Sequence, residues 1–255
     1  MINTADLVTQ AIDLLQSSRH TVALTGAGIS TPSGIPDFRT ETSGIWARFD
    51  PMEVATISAF KRRPEDFYEW IRPLLQIMVD AQPNPAHTAL AQMEAYGPLK
   101  AIITQNIDLL HSNAGSQQVH ELHGHIRDMT CLHCYQTYAA QPIINDFIDQ
   151  IDMIVPRCKK CRGVLKPDVI LYGEMLPVRV LNDAKRDIRQ CDLMLVIGSS
   201  LEVAPAGDLP YLAKQVGARL IIINFTTTHM DYLADVVINA DVVEILPQLA
   251  DIFMP

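Results

Sequence analysis

No apolar run in this 255-residue chain approaches the roughly 18 residues that would span a bilayer, so no membrane-embedded segment is expected. Nor is a secretory signal expected. Asp6 and Asp13 interrupt the N-terminal apolar positions, and Ile2, Leu7, Ile12, Leu14 and Leu15 read instead as one face of an amphipathic helix. Cysteines number only five, four of them in two C-x-x-C pairs, which points to metal or redox chemistry rather than to secretion, and a chain of this length buries a core without a disulfide framework. Basic residues are also in deficit: 20 Lys and Arg against 29 Asp and Glu give a net charge of −9. The last quarter, residues 190–255, holds eight acids and only two bases. That balance is a poor electrostatic footprint for nucleic acid or an anionic membrane, and neither is expected as a partner. It suits basic partners such as lysine-bearing peptides. No G-x-S-x-G elbow and no G-x-x-x-x-G-K-[ST] loop occurs, which removes α/β serine hydrolases and P-loop enzymes. Internal repeats and low-complexity tracts are missing too. A soluble, cytoplasmic protein is the expectation.

What is present is a succession of short Val/Ile/Leu runs at 21–25, 101–104, 169–172, 193–197 and 220–223. Runs of this length suit strands buried on both faces of a parallel sheet. Helical patterns lie between several of them, for example at 85–94 and 178–189. The alternation predicts an α/β fold: a doubly wound, Rossmann-like parallel sheet built from residues 1–125 and 166–255. Residues 31–50, rich in Pro, Gly, Ser, Thr and aromatics, read as a long functional loop, and 51–80 as a helical segment. Residues 126–165 break the alternation and read as a small inserted module with a helical stretch near Ile143–Ile148.

Thr25-Gly26-Ala27-Gly28-Ile29-Ser30 follows the first expected strand, where glycines let backbone N–H groups approach a pyrophosphate. A bare G-x-G is also an ordinary strand-to-helix turn. The dehydrogenase fingerprint is incomplete, since Thr31 stands where its third Gly or Ala would be. Asn106 and Asp108 lie two apart at a strand's C-terminal end, where α/β sheets place ligands. An amide and a carboxylate there suit ribose hydroxyls and a carboxamide, although a turn or helix cap uses the same residues. Cys131-x-x-Cys134 and Cys158-x-x-Cys161, with 23 residues between the pairs, suit a closed structural zinc site; redox disulfides are the alternative. Cys191 reads as a buried thiol.

Several motifs stand in one order: Gly26–Ser30, then Gly34-Ile35-Pro36-Asp37-Phe38-Arg39, then Thr104-Gln105-Asn106-Ile107-Asp108. They continue with His120-Glu121-Leu122-His123-Gly124, Tyr172-Gly173-Glu174, Gly198-Ser199-Ser200-Leu201 and Ile223-Asn224. In this order and spacing, from residue 21 to 245, the chain resembles the sirtuin family of NAD-dependent protein deacylases, in the minimal form of bacterial and archaeal members. The resemblance implies removal of acyl groups, acetyl first, from protein lysines. NAD would be the co-substrate and one Zn2+ ion a structural component. Nicotinamide, O-acetyl-ADP-ribose and free lysine would be the products.

By the same resemblance His123 is the general base, acting with Asn106 and Asp108. Gly26, Ala27, Gly28, Ser30, Asp37, Phe38, Arg39, Gln105, Ile107, Gly198, Ser199, Ser200 and Asn224 complete the cofactor contacts, with Phe38 shielding the reacting ribose carbon and Arg39 meeting phosphate. Val169, Ile170, Leu171, Tyr172 and Gly173 resemble the edge that pairs with substrate backbone. Two rival readings keep the NAD site: protein mono-ADP-ribosyl transfer, and a non-catalytic NAD-sensing module. Oligomeric state is open, with a monomer compatible. A subgroup that removes succinyl groups resembles a pattern Tyr-x-x-Arg, whereas this chain has Tyr68, then Ile71, then Arg72. One residue is about 100° around a helix, so Arg72 is expected to point away from the face of Tyr68 and Ile71.

Overall fold

Strands buried on both faces need helices on both sides, and this sheet has them. The computed structural model describes residues 3–36 and 51–254. Its strands are β1 (Thr21–Thr25), β2 (Leu99–Thr104), β3 (Val119–Glu121), β4 (Gly124–Cys131), β5 (Thr137–Ala139), β6 (Leu165–Val169), β7 (Leu193–Ile197), β8 (Arg219–Ile223) and β9 (Val236–Ile238). Six of them form one parallel sheet in the order β3-β2-β1-β7-β8-β9. From β1 the chain builds outward through β2 and β3, then returns to the other side of β1 for β7, β8 and β9. That reversal makes the C-terminal ends of β1 and β7 a topological switch point, where open α/β sheets bind ligands.

The helices are α1 (Thr4–Ser17), α2 (Pro51–Val54), α3 (Ile57–Arg62), α4 (Pro64–Asp80), α5 (Pro85–Tyr96), α6 (Leu110–Asn113), α7 (Ala140–Asp149), α8 (Val178–Gln190), α9 (Leu209–Gln215) and α10 (Val242–Ala250). Alternate residues of β1 enter opposite layers, as a strand's period of two requires. Ala23 packs with α1, α5 and α10, while Val22 and Leu24 pack with α8 and α9. The buried stripe of α1 is Val8, Ala11 and Leu15, with Leu7, Ile12 and Leu14 flanking it rather than forming its centre. No helix among the described residues is long and apolar enough to cross a membrane.

The run 169–172 is not a strand of the parallel sheet. Strand β6 ends at Val169 and pairs antiparallel with β4 in a separate sheet of order β5-β4-β6. Val169 and Leu171 are buried, Ile170 is half-buried and Tyr172 is 46% exposed. One face is covered and the other open, which an apolar composition alone does not reveal. This smaller sheet shares a core with α3, α4 and α7 through Phe60, Phe67, Tyr68, Leu75, Met129, Ile144 and Phe147. Tyr68 ties the layers by donating its hydroxyl to the Leu165 carbonyl at 2.6 Å.

Candidate active site

The switch point gathers turns from three strands. After β1, Gly26 and Gly28 donate their N–H groups to the carbonyls of Ile197 and Gly198, at 3.1 and 2.8 Å. These amides are thus used within the protein, and the glycines serve close packing of two turns rather than a free N–H cradle. A Cβ on Gly28 would lie 2.8 Å from Gly198 Cα, and Gly198 itself has φ +57 with Ile29 N only 2.5 Å from where its Cβ would be. Side chains are excluded here, which leaves a surface of bare backbone of the kind a dinucleotide approaches.

After β2, Gln105 joins everything around it. Its N–H donates to the Thr25 carbonyl at 3.0 Å, and its side-chain amide donates to Ser199 Oγ at 2.9 Å. Its own carbonyl accepts from His123 Nδ1 at 3.0 Å. Asn106 Nδ2 donates to Gly26 O and to Ser30 Oγ, both at 3.0 Å. Ser30 passes the chain on, donating to Asp108 Oδ2 at 2.6 Å, while Leu110 N–H donates to Oδ1 at 2.9 Å. Asp108 is 5% exposed, and burial raises its pKa against the pull of these bonds. Each carboxylate oxygen keeps a second lone pair for a ligand amide.

His123 stands between β3 and β4, just before Gly124, whose φ of +74 and closeness to the Asp168 carbonyl admit only glycine. A carbonyl can only accept, so the Nδ1 of His123 carries the proton and a neutral ring has a bare Nε2. Burial lowers the pKa of His123, with the Gln105 carbonyl opposing that shift. His120 pairs with Asp187 at 2.6 Å and so has a structural partner away from this cluster.

Gln105, Asn106, Asp108, Ser30 and His123 are therefore brought together with the Gly26–Gly28 turn and Gly198–Ser199. Ile107 is half-buried in the same loop, and its carbonyl accepts from Ile126 N–H at 3.2 Å. Ala27 and Ser200 belong to the same two turns. Asn224 follows β8 directly, one strand further along, with its side-chain amide donating to Thr226 O at 2.8 Å. Asp37, Phe38 and Arg39 lie outside the described residues. The segment Val169–Gly173 runs beside His123: Ile170 N–H donates to the His123 carbonyl at 2.8 Å, and Tyr172 exchanges backbone bonds with Ala55 and Ile57 at 3.0 Å each. Glu174, known from the sequence only as the end of a motif, pairs with the buried Lys166 at 2.9 Å and also accepts from Leu171 N–H; this bracing of the segment, and Lys166 itself, were not legible in the sequence. His111 beneath the cluster was not singled out either, and Thr25 and Thr104 stood in their motifs with no role assigned. Single polar residues inside apolar runs were the available signal.

The four cysteines Cys131, Cys134, Cys158 and Cys161 place their sulfurs within 4.8 Å of one another, a closed tetrathiolate donor set that fits one zinc ion. Strand β4 separates this cluster from His123. Its seven steps from Gly124 to Cys131 span at most about 23 Å at about 3.3 Å per residue. A metal at that distance from His123 would brace the small module.

Arg72 requires a correction. Four residues after Tyr68, it shares Phe147 with that residue instead of pointing away from it: its guanidinium lies 3.7 Å from the Phe147 ring centroid, and Tyr68 packs edge-on to the same ring. It donates to the carbonyls of Phe147 and Met153 and so closes the end of α7. Residues i and i+4 lie on one helix face, and the expectation weighed only i+3.

Fold and site together define a doubly wound α/β protein with a switch-point ligand site and a four-cysteine module. The Sir2 family model matches residues 26–205. NAD-dependent protein deacylase 2 of Archaeoglobus fulgidus is 46% identical over 247 residues, 96% of each chain. The NAD-dependent protein deacetylase of Sulfurisphaera tokodaii is 46% identical over 239 residues, 94% of this chain and 93% of its own. Among solved structures, one described as showing the structural basis for the mechanism and regulation of Sir2 enzymes has a TM-score of 0.88 at 46% identity, covering 96% of this chain and 97% of that one. The Sir2–p53 peptide–NAD+ complex has a TM-score of 0.86 at 40% identity, with the same coverage. This chain belongs to the Sir2 family.

Proposed function

We propose that this protein is an NAD-dependent protein-lysine deacylase that acts on acetyl-lysine. The observation that carries the reading is His123, held by the Gln105 carbonyl with its Nε2 bare, beside a switch point lined by Asn106, Asp108 and Ser30. NAD, when bound, supplies an ADP-ribose acceptor for the acyl group and nicotinamide as leaving group.

The chain's own residues then divide the work. His123 Nε2 takes a proton from a ribose hydroxyl, because burial keeps the imidazole neutral near pH 7. Asn106 and Gln105 hold the ribose region, and Asp108 accepts from the carboxamide. Gly26, Ala27, Gly28 and Ser30 supply the close turn, and Gly198, Ser199, Ser200 and Asn224 the adenosine end. Asp37, Phe38 and Arg39 enter this reading on the family's motif alone. Val169–Gly173 presents backbone to an acylated peptide, a mode of pairing that reads little side-chain sequence. The cysteine cluster holds zinc for structure. Four free thiols set for a metal suit the reducing cytoplasm.

The test is to supply NAD with and without an acetyl-lysine peptide and to follow nicotinamide release. Release that requires the acetylated peptide supports the reading. Release with ADP-ribose left on protein would favour transfer to protein instead, and NAD binding without release would leave a sensing module.

A further inference from the structure

Below the Asn106 turn lies a pair of imidazoles that the reaction does not use. His87, in the first turn of α5, and His111, in α6, are 0% and 2% exposed, and their rings meet edge to face with centroids 4.9 Å apart. Each ring has one bonded nitrogen. The other two, His87 Nε2 and His111 Nδ1, are buried without a partner among the described residues.

The bonded nitrogens fix where the protons are. Asn84 N–H donates to His87 Nδ1 at 3.3 Å, so that nitrogen is bare and a neutral His87 carries its proton on Nε2. Thr25 donates its one hydroxyl proton to Thr104 Oγ1 at 2.9 Å. Toward His111 Nε2, also 2.9 Å away, Thr25 must therefore accept. His111 then holds its proton on Nε2 and has a bare Nδ1. A buried donor lacking an acceptor sits on one ring, and a buried acceptor lacking a donor on the ring that touches it. Two such groups left unmatched would each carry a full desolvation cost, and pairing them removes it. Burial also holds both rings neutral, lowering the pKa of His87 to about 4 and that of His111 to about 3.

We propose that His87 and His111 form a neutral hydrogen-bond relay, from His87 Nε2–H to His111 Nδ1 through one enclosed water, and that this relay positions the Thr25–Thr104 hydroxyl pair under Asn106. Thr104 Oγ1 accepts from the Asn106 backbone N–H at 3.0 Å, so the chain of bonds ends on the residue that also holds Ser30 and Gly26. At its other end, Asn84 Nδ2 donates to the Ile29 carbonyl at 2.7 Å and to Ser33 Oγ at 3.0 Å. The start of α5 thus grips both the glycine turn and, through the two imidazoles, the Asn106 turn. His87 and His111 are positioning residues. Their effect on the cofactor rests on the proposed NAD site, whereas the protonation pattern does not.

The relay is tested by long-range 1H–15N NMR on the full-length, histidine-labelled protein at neutral pH. Both rings should be neutral, protonated on Nε2, with Nε2–H signals that exchange slowly. A proton on Nδ1 of either ring, or a charged ring, overturns the relay. Positioning is tested by calorimetric Kd values. His111→Leu should weaken NAD binding about fivefold, the size of one net neutral hydrogen bond, while peptide binding moves less than about twofold. His111→Gln, whose amide offers a donor and an acceptor in place of the two ring nitrogens, should return NAD binding to within about twofold of the unaltered protein. Equal losses in the Leu and Gln variants, or parallel losses for NAD and peptide, overturn positioning. Should the Leu variant fail to fold, the NMR result on the unaltered protein and the Gln comparison still decide. An unaltered protein that binds no NAD would sink the proposed function and the positioning role while leaving the NMR result standing.

Discussion

The His123 ring is held by the Gln105 backbone carbonyl, 3.0 Å from Nδ1, and so its tautomer is set by a residue that also grips Ser199 and Thr25. A base oriented in this way needs no acidic partner. The bond to a carbonyl favours the charged ring, but burial outweighs it and the pKa falls below the ordinary value.

From that relationship, His123→Ala should nearly abolish turnover while leaving NAD binding and folding in place. His120→Ala and His125→Ala should be mild by comparison. The working form is the neutral ring, and its pKa is lowered. Activity should therefore persist below the ordinary imidazole value of about 6.5 and fall only as pH drops through the lowered pKa. A pH profile of kcat/KM checks this. An acid limb above that value, or near-normal deacetylation by His123→Ala, would contradict the assignment.

Cys131 and Cys158 are fully buried in the core that Phe67, Tyr68 and Phe147 also form. Stripping zinc, or changing either cysteine to Ala, should loosen that core and the segment Val169–Gly173 resting on it. Structural zinc contributes folding free energy directly, so loss of activity should track the fall in Tm across a chelator series. A fully stable but inactive zinc-free protein would mean that the metal has a part in chemistry.

Asp108→Asn removes the charge while keeping the shape. It should weaken NAD binding and nicotinamide release more than it weakens ADP-ribose binding, since ADP-ribose has no carboxamide. Calorimetry with both ligands separates the two effects. Equal losses would make Asp108 a scaffold for Ser30 and Leu110 only.

Arg72 bears on the acyl group. Its guanidinium is engaged with two carbonyls and the Phe147 ring, Tyr68 is bonded to Leu165, and Ile71 is buried beside them. No free cation is left in this part of α4 for an acyl carboxylate. A buried carboxylate without a partner costs several kcal/mol, so kcat/KM for a succinyl-lysine peptide should fall at least about 100-fold below that for its acetyl version. Equal rates would show that another base reads the carboxylate.

Much of this architecture is legible in the sequence because buried parallel strands are short apolar runs and the helices between them are periodic. Strands β1, β7 and β8 follow that rule closely. The run 169–172 has the same composition, yet its residues are alternately covered and open, and only packing reveals that. Strands β3 and β9, at three residues each, are too short to carry a pattern. The site was visible where several residues stand in a fixed spacing, as at 104–108 and 120–124. His87 and His111 were not, because each is a single residue whose meaning arises only when α5 and α6 bring the two rings together. The use of the Gly26 and Gly28 amides was also hidden, since it depends on a turn more than 150 residues away in sequence.

The central claim is acyl transfer from lysine to ADP-ribose, and product stoichiometry tests it most directly. Purified protein would be given NAD and an acetyl-lysine peptide, and the products quantified by mass spectrometry over the time course. The account predicts one nicotinamide and one O-acetyl-ADP-ribose for each lysine freed. Free acetate without nicotinamide, or ADP-ribose attached to protein with the peptide still acetylated, would contradict it.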